Sequence, residues 1–563
     1  MTVGPRHVGK APAPEASRQH AAAEAVVRLV HMLRIEREGL AVVLVYAVGI
    51  GLASLAAPIG VQMLVSAIAF GGLAQPIVVL TMLVLVALGI AAVLRAAQGW
   101  VVERIQQRLF VRVAADLAER LARARITAFD HGHGPELVNR FFDVLTLQKG
   151  AAMLLLDGIL VVLQVAVGGT LLALYHPALL AFAAALLVAL LAVLYGLGGG
   201  GAETSISESK AKYALVAWFE EMARHPTIFH GGGGESFARA RSDELTRAYV
   251  SYRKKHFKVV FRQTVAFLAL QAIATAALLG IGGFLVLGGQ LTLGQLVAAE
   301  LILTGVVSGF AKFGKYLESF YDLVAAMDKL GTLVDLPLER DAAVPFAAPA
   351  GPVGLRLESV TFADGDDYRL APTTLEIAPG GRVAVVGPNG SGKSTLIDVL
   401  YGLRDPTQGH VELDGLPLRE LALRDVREQI ALVRGAAIFD GTILENICMG
   451  RELPLESVRF ALEGVGLWDE VTRLPEGLAT RLTTNGGNVS AGYAQRLAIA
   501  RALVSRPRCL LLDEALDALD PDARQEILSR VLGADAPWTV VVATRDPAVA
   551  GACFAVLDLG ATS

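Results

Sequence analysis

Long apolar runs make up about half of the first 330 positions of the chain, and charged residues are concentrated between these runs. Six runs are near or above the roughly 20 residues that a helix needs to cross a bilayer. The pattern therefore predicts six membrane-spanning helices and argues against a soluble protein whose helical half is an ordinary core. The runs lie at about 39–68, 76–102, 150–174, 177–199, 264–287 and 291–324.

The links between the runs differ in length and charge. Lys and Arg are frequent in the long links, 103–149 and 200–263, and absent from the short links at 70–75, 175–177 and 288–290. Because Lys and Arg favour the cytoplasmic side, both long links and both termini are predicted to be cytoplasmic. Apolar residues every three or four positions predict that the membrane helices continue into the cytosol. The far ends of the long links, near 134–137 and 213–221, are expected to dock on a soluble domain.

The N-terminal segment precedes the first apolar run. Residues 1–21 are rich in Ala, Pro and His, lack the apolar core of a signal peptide, and are predicted to be a disordered tail. Residues 22–38 are predicted to form a helix at the membrane surface, and an ordinary cytosolic helix is the alternative. The apolar side of that helix would carry Val26, Leu29, Val30 and Leu33.

The character of the sequence changes after residue 330. Residues 331–352 are predicted to be a linker between a transmembrane domain at 39–330 and a second domain at 353–563, because they contain four prolines: Pro337, Pro345, Pro349 and Pro352. In the second domain, strand patterns alternate with helical patterns, which predicts an α/β fold.

Composition narrows the class of protein further. The chain has 563 residues, 54% hydrophobic and 18% charged, whereas soluble domains have about a quarter charged residues. The net charge of −4 gives no support for a nucleic-acid partner. The three cysteines form no disulfide framework and suit a reducing cytoplasm.

A glycine-rich loop lies between an apolar strand and an apolar helix in the second domain. Its pattern, G-x-x-x-x-G-K-S, in this strand–loop–helix context predicts a P-loop that binds phosphate through backbone N–H groups. Lys393 would reach the β- and γ-phosphates of a nucleotide, and Ser394 would bind Mg²⁺. The alternative is a glycine-rich turn that binds nothing. The predicted binding residues are Gly387, Pro388, Asn389, Gly390, Ser391, Gly392, Lys393, Ser394 and Thr395.

Two further segments carry candidate chemistry. The apolar strand 509–512 ends in Asp513 and Glu514, and beside a P-loop we expect Asp513 to hold Mg²⁺ through water and Glu514 to orient or deprotonate the attacking water. A strand that ends in acids by chance is the alternative. Ser490 and the small residues after it predict a helix start that offers hydrogen-bond donors to an anion.

The order of these motifs resembles the ATPase of the ABC transporters, and residues 22–560 resemble a bacterial half-transporter of the exporter type. The resemblance implies a membrane all-α six-helix domain followed by an α/β P-loop ATPase domain, with ATP and Mg²⁺ bound between two chains. It implies that Ser490 and Gly492 complete the ATP site of the second subunit. Residues 517–520 resemble the D-loop, and the tips of the long links resemble coupling helices.

Four features depart from the family pattern. The signature motif of the family, normally L-S-G-G-Q, is V-S-A-G-Y at residues 489–493 of this chain, with Ala491 and Tyr493 in place of Gly and Gln. The Q-loop glutamine is missing from a segment one residue short, so that Arg434 or Gly435 takes its place. Arg545 replaces the switch histidine, where it would stabilise the γ-phosphate or fill space. The position near Phe362 where the family has an aromatic residue that stacks on adenine holds Asp364, and Tyr368 is the nearest substitute.

The resemblance predicts ATP-driven export by alternating access across the bacterial inner membrane, with a second half-transporter, identical or related, as partner. Alternatives are the weakly hydrolysing half of a heterodimer and an ATP-gated membrane protein that does not pump. Retention of Glu514 favours an active ATPase. The substrate is left open among lipid, drug-like compound, siderophore and secreted peptide, as is a periplasmic adaptor. Polar residues in or near the spans are Arg95, Gln98, Asp157, Gln164, Gln271, Glu300 and Lys312.

Overall fold

The computed structural model describes residues 15–69, 74–130, 134–340, 344–346, 350–364 and 367–560. The chain forms two compact units. The first comprises Met1–Ala124 and His131–Pro337, and the second comprises Arg125–Asp130 and Leu338–Ser563.

The described part of the first unit is helical throughout. Short 3₁₀ and π turns at Arg140–Phe142 and Leu154–Gly158 connect some of its elements. Its helices are α1 (Glu15–Ile35), α2 (Arg37–Ser54), α3 (Ala56–Ala69), α4 (Ala74–Arg123), α5 (Gly134–Asn139), α6 (Asp143–Met153), α7 (Ile159–Tyr175), α8 (Pro177–Leu197), α9 (Gly201–Arg224), α10 (Pro226–Phe229), α11 (Gly234–Leu287) and α12 (Leu293–Val334).

Six stretches in this unit are long and apolar enough to cross a membrane, which confirms the predicted six-helix membrane domain. Helices α4 and α11 have 50 and 54 residues, or about 75 and 80 Å at 1.5 Å per residue, so both extend well beyond a bilayer. The stretches are Arg37–Ile68, Ile77–Arg123, Leu137–Tyr175, Pro177–Leu197, Gly234–Leu287 and Leu293–Val334.

The N-terminal helix differs from its prediction in two ways. Helix α1 begins at Glu15, inside the segment expected to be a disordered tail, because the residues after Glu15 are mostly strong helix formers such as Ala, Glu, Gln and Arg. Residues 1–14 lie outside the described part. Leu29 is buried in a cluster with residues of α12, whereas Val30 is 46% exposed and does not share that face.

Polar residues among the spans have mixed environments. Arg95 and Asp157 form an ion pair between helices at 3.0 Å, and Gln98 is buried, donating to the carbonyl of Val43 at 3.4 Å. Glu300 has a buried carboxylate oxygen without a hydrogen-bond partner in the described part of the chain.

The second unit has a parallel five-stranded sheet of order β11-β3-β10-β9-β6, an antiparallel sheet of order β2-β1-β4-β5, and the short pair β7-β8. This confirms the predicted α/β fold. The strands are β1 (Leu355–Asp364), β2 (Asp367–Ile377), β3 (Arg382–Val386), β4 (Gln408–Leu413), β5 (Leu416–Pro417), β6 (Ile430–Arg434), β7 (Gly441–Thr442), β8 (Arg481–Leu482), β9 (Cys509–Asp513), β10 (Thr539–Ala543) and β11 (Ala555–Asp558).

Eight α-helices of this unit lie among its described residues, together with 3₁₀ turns at Ile126–Phe129, Leu418–Glu420, Gly477–Ala479 and Thr484–Gly486. They are α13 (Lys393–Leu400), α14 (Leu423–Gln429), α15 (Ile443–Cys448), α16 (Leu455–Gly464), α17 (Trp468–Arg473), α18 (Ala491–Leu503), α19 (Pro521–Val531) and α20 (Pro547–Gly551). Strands β9 and β10 are buried along their whole length. Because β3, β6, β9 and β10 are parallel, their carboxyl ends share one edge of the sheet, and the candidate site lies there.

The segment expected to be a linker is partly structured. Helix α12 continues to Val334, and Phe346 is buried in the core of the second unit with its N–H bonded to Asp425 at 3.0 Å. Residues 341–343 and 347–349 lie outside the described part. In the first long link, the residues that belong to the second unit are Arg125–Asp130, which lie just before the tip expected to dock.

Candidate nucleotide-binding site

The P-loop connects β3 to α13 and needs glycine where the backbone turns left-handed. Gly390 and Gly392 have φ angles of +83° and +96°. A Cβ atom at Gly392 would lie 2.5 Å from the carbonyl oxygen of Arg369, whereas one at Gly390 would meet nothing within 4 Å. The glycine at position 392 therefore satisfies both a backbone and a packing requirement.

The side chain of Lys393 folds back under the loop. Its ammonium donates to the carbonyl oxygens of Gly387 at 2.9 Å and Pro388 at 3.0 Å, and the residue is 6% exposed. The loop thereby holds a buried positive charge at the N-terminus of α13, where the helix dipole also favours an anion. This arrangement suits the binding of phosphate groups.

Ser394, Asp513 and Arg434 meet at the carboxyl ends of the strands. The hydroxyl of Ser394 donates to one carboxylate oxygen of Asp513 at 3.0 Å, and Arg434 Nε donates to the other at 2.6 Å. Hydroxyl and carboxylate oxygens are the ligands that Mg²⁺ prefers, so the donor set fits the implied metal. Of the two residues expected in place of the glutamine, Arg434 makes these contacts.

Arg434 is held by two acidic residues. A second nitrogen of its guanidinium, Nη1, lies 2.8 Å from Asp398 Oδ1. Burial acts to lower the pKa of Arg434, but the carboxylates of Asp398 and Asp513 outweigh it and raise the pKa above its ordinary value. Arg434 is therefore a permanent cation beside the P-loop.

Glu514 and Arg545 form a second ion pair at the same sheet edge. The guanidinium donates to both carboxylate oxygens, at 2.8 and 2.9 Å, and these bonds raise the pKa of Arg545. Asp517 braces the segment, accepting from the Thr544 hydroxyl at 2.6 Å and the Arg545 N–H at 3.0 Å. Arg545 thus contacts the candidate catalytic carboxylate, a role that sequence reasoning did not consider.

The signature residues stand at the start of α18. Ser490 is its N-cap, and its hydroxyl accepts from the Tyr493 N–H at 3.1 Å. A Cβ at Gly492 would meet nothing within 4 Å, so this turn of the helix has an open face. The described hydrogen bonds of Ser490 stay within its own helix start, where its carbonyl oxygen also accepts from the Ala494 N–H at 3.0 Å.

Tyr368, which is predicted to stack on adenine, belongs to β2. Its side chain lies outside the described part, as does that of Asp364. The nearby ring of Phe362 is half-buried and faces the guanidinium of Arg404, whose Cζ is 5.4 Å from the ring centroid.

An ion-pair chain behind the P-loop was missed from the sequence. Arg404 donates to Asp398 at 2.9 Å and to both carboxylate oxygens of Asp130, at 2.7 and 2.9 Å. The bonds to Asp130 first, and those to Asp398 second, raise the pKa of Arg404 despite its burial. The available signal was Asp398, a lone acid in the apolar run that follows the P-loop, since buried acids need partners.

Comparisons with known proteins agree with this geometry. The family model described as ABC transporter transmembrane region matches residues 40–309, and the model described as ABC transporter matches residues 370–517. A solved bacterial Atm1-family ABC exporter with ATP bound has a TM-score of 0.83 and 24% identity, with 94% of each chain covered. At this identity the likeness concerns the fold.

Curated relatives share the name ATP-dependent lipid A-core flippase. The protein of Cupriavidus metallidurans is 32% identical over 305 residues, or 52% of this chain and 51% of its own. That of Burkholderia pseudomallei strain 1710b is 33% identical over 300 residues, or 52% and 50%. The chain thus spans about half the length of the curated relatives it matches.

The two family matches lie in sequence order, the membrane region first and the ATPase domain second, and together cover most of the chain. Six candidate spans followed by this α/β domain are the arrangement of a bacterial inner-membrane protein with a cytoplasmic nucleotide-binding domain. The chain belongs to the ABC transporter family.

Proposed function

We propose that the chain is one half of a dimeric ABC exporter that uses ATP hydrolysis to move a lipid substrate across the inner membrane by alternating access. The observation that carries the proposal is the contact between Ser394 and Asp513 directly beside the P-loop, with Glu514 next in sequence. A phosphate-binding loop, a metal-binding hydroxyl and two carboxylates are the parts that phosphoryl transfer to water requires. Residues 39–330 form the transmembrane domain and residues 353–563 the nucleotide-binding domain.

Each site residue has a role in this proposal. The backbone of residues 387–395 and the Lys393 ammonium bind the phosphates of ATP, and Tyr368 stacks on the adenine. Ser394, and Asp513 through water, would hold Mg²⁺, which would supply positive charge to neutralise the phosphates. Glu514 orients the attacking water and accepts its proton, while Arg545 fixes the orientation of that carboxylate.

A second half-transporter completes the ATP site. Ser490 and Gly492 lie at the N-terminus of the 13-residue helix α18, whose dipole favours an anion. Each protomer presents this helix start to the phosphates bound by the P-loop of the other. ATP binding then draws the two domains together, hydrolysis releases them, and the membrane helices alternate between inward-facing and outward-facing forms.

A lipid is the substrate class that the observations favour. An apolar cavity of about 650 Å³ in the first unit is bounded by α7, α8 and α12, with Val165, Leu172, Leu190 and Leu303 in its wall. Such a lining suits acyl chains. The curated relatives are named as flippases of lipid A-core, which makes this lipid the first candidate.

The test is ATP turnover by the full chain in liposomes, with lipid A-core or with phosphatidylglycerol as a matched acyl lipid. Lipid A-core should stimulate turnover and become accessible on the opposite leaflet in the presence of ATP. The Glu514→Gln variant gives the baseline rate of ATP turnover. Turnover that is equal with both lipids, without translocation, would contradict the substrate assignment.

Two other functions are candidates. The chain would be the weakly hydrolysing half of a heterodimer, or a membrane protein that is gated by ATP and does not pump a substrate. The observation that favours weak hydrolysis is the pairing of Asp513 and Glu514 with the two arginines that replace family residues. Equal, near-zero turnover by the purified chain and by Glu514→Gln would support the heterodimer. ATPase activity without uptake of lipid into inside-out vesicles would support gating.

A further inference from the structure

Arg434 brings a permanent positive charge to the position where the sequence lacks a glutamine. It lies at the end of β6, directly opposite Asp513 in the parallel pairing of β6 with β9. Besides its hydrogen bond to Asp513 and its contact with Asp398, it donates to the carbonyl oxygen of Ser394 at 3.2 Å. The guanidinium is therefore fixed between two acids and the first turn of α13.

Both acids are almost fully buried. The side chains of Asp398 and Asp513 are 7% and 4% exposed, so each needs a cation to offset its loss of water. Asp398 is itself fixed by Arg404, which is held in turn by Asp130. If Asp513 turns to another cation, Arg434 keeps a buried acidic partner and stays beside the P-loop.

A divalent cation and this guanidinium compete for one carboxylate. Ser394 and Arg434 contact the two oxygens of Asp513, the residue that would also serve Mg²⁺. A glutamine amide carries no charge and would not oppose the metal, whereas an arginine never loses its charge in a protein. Both cations can neutralise phosphate, and the fork of a guanidinium matches phosphate oxygens especially well.

We propose that Arg434 is a built-in counter-cation of the nucleotide site, and that this chain binds ATP nearly as tightly without Mg²⁺ as with it. The inference rests on the proposed function, because it requires the P-loop to bind ATP. The proposal concerns the binding of ATP. In it, Arg434 determines how strongly that binding depends on Mg²⁺.

The experiment measures equilibrium binding of radiolabelled ATP to the full-length protein in nanodiscs, in excess Mg²⁺ and in excess EDTA. Three proteins are compared: the unaltered chain, Arg434→Gln and Arg424→Gln. Arg424 is a matched control, because its side chain is 88% exposed and pairs with Glu428 on the surface. EDTA should raise Kd by less than about fivefold for the unaltered chain and the control, and by more than about fivefold for Arg434→Gln.

A rise of more than about fivefold for the unaltered chain overturns the inference, and so does an Arg434→Gln protein that behaves like the unaltered one. The first comparison needs no substitution, so it stands even if Arg434→Gln does not fold. Binding that requires Mg²⁺ would leave the proposed ATP-driven function intact. Absence of ATP binding under both conditions would overturn the proposed function and this inference together.

Discussion

The guanidinium of Arg545 donates to both oxygens of the Glu514 carboxylate, at 2.8 and 2.9 Å. Glu514 has a φ angle of +50°, which non-glycine residues seldom adopt, and its N–H donates to the carbonyl of Ala543 at 2.9 Å. A bond from the neighbouring strand therefore holds the backbone and an arginine holds the side chain. Together these contacts fix the direction of the carboxylate.

Removal of either partner should slow hydrolysis. Glu514→Gln should lower ATP turnover by about 10²- to 10⁴-fold, the usual worth of a general base, while ATP binding persists. Arg545→Ala should lower turnover by about a hundredfold, because a misdirected carboxylate loses its alignment with the attacking water. Steady-state phosphate release measures both. Full activity of Arg545→Ala would mean that the arginine only fills space.

Lys393→Ala should abolish tight ATP binding. The ammonium is buried under the loop that is expected to bind the phosphates, so its loss should weaken ATP affinity at least tenfold, or about 1.4 kcal/mol. Transport should stop as well. Radiolabelled ATP binding checks the first outcome, with Arg424→Ala as a surface control, and continued lipid export by Lys393→Ala would refute the ATP-driven mechanism.

The two P-loop glycines should differ in their tolerance of alanine. Gly390→Ala should cost about 1–2 kcal/mol, because only the left-handed backbone is strained. Gly392→Ala adds an overlap with the Arg369 carbonyl and should cost about 3–5 kcal/mol. Thermal unfolding of the two purified variants makes the comparison. Equal midpoints would show that the loop adjusts freely at both positions.

Glu300 is the intramembrane acid that we expect to serve transport. It lies in the first third of α12, and acids placed within membrane spans commonly face a pathway or a partner. Glu300→Ala should change lipid export while leaving basal ATP turnover within about twofold, since the residue is in a different unit from the P-loop. Glu235→Ala, at an exposed ion pair on α11, is the control. Unchanged export would show that Glu300 has a structural role and no role in transport.

The thiol of Cys553 should react slowly and with a displaced pH dependence. Burial raises its pKa from 9.0 to about 11, so the folded protein has about a hundredfold less thiolate below pH 9 than an ordinary cysteine. Its alkylation by iodoacetamide should rise about tenfold per pH unit up to about pH 11. Peptide mass spectrometry after timed quenching measures the rate. A plateau near pH 9, as in denaturant, would contradict the raised pKa.

Local patterns predicted much of the fold and part of the site. The six spans follow from length and hydrophobicity, and the P-loop follows from residues adjacent in sequence. The contacts of Arg434 were not predictable in the same way, because they depend on Asp398 and Asp513, 36 and 79 positions away. The sequence predicts a linker at Phe346 because prolines surround it. In the structure, the side chain of Phe346 is buried in the core of the second unit.

The attachment of Asp130 to Arg404 has a consequence for any attempt to study the catalytic half alone. Six residues that precede the rest of that unit by some two hundred positions are part of its architecture. A fragment beginning at Leu338 would leave a largely buried guanidinium without one of its two acids. The melting temperature and nucleotide affinity of that fragment would therefore be those of a domain that lacks part of its fold. Adding residues 125–130 back as a separate peptide is the simplest way to restore what the cut removes.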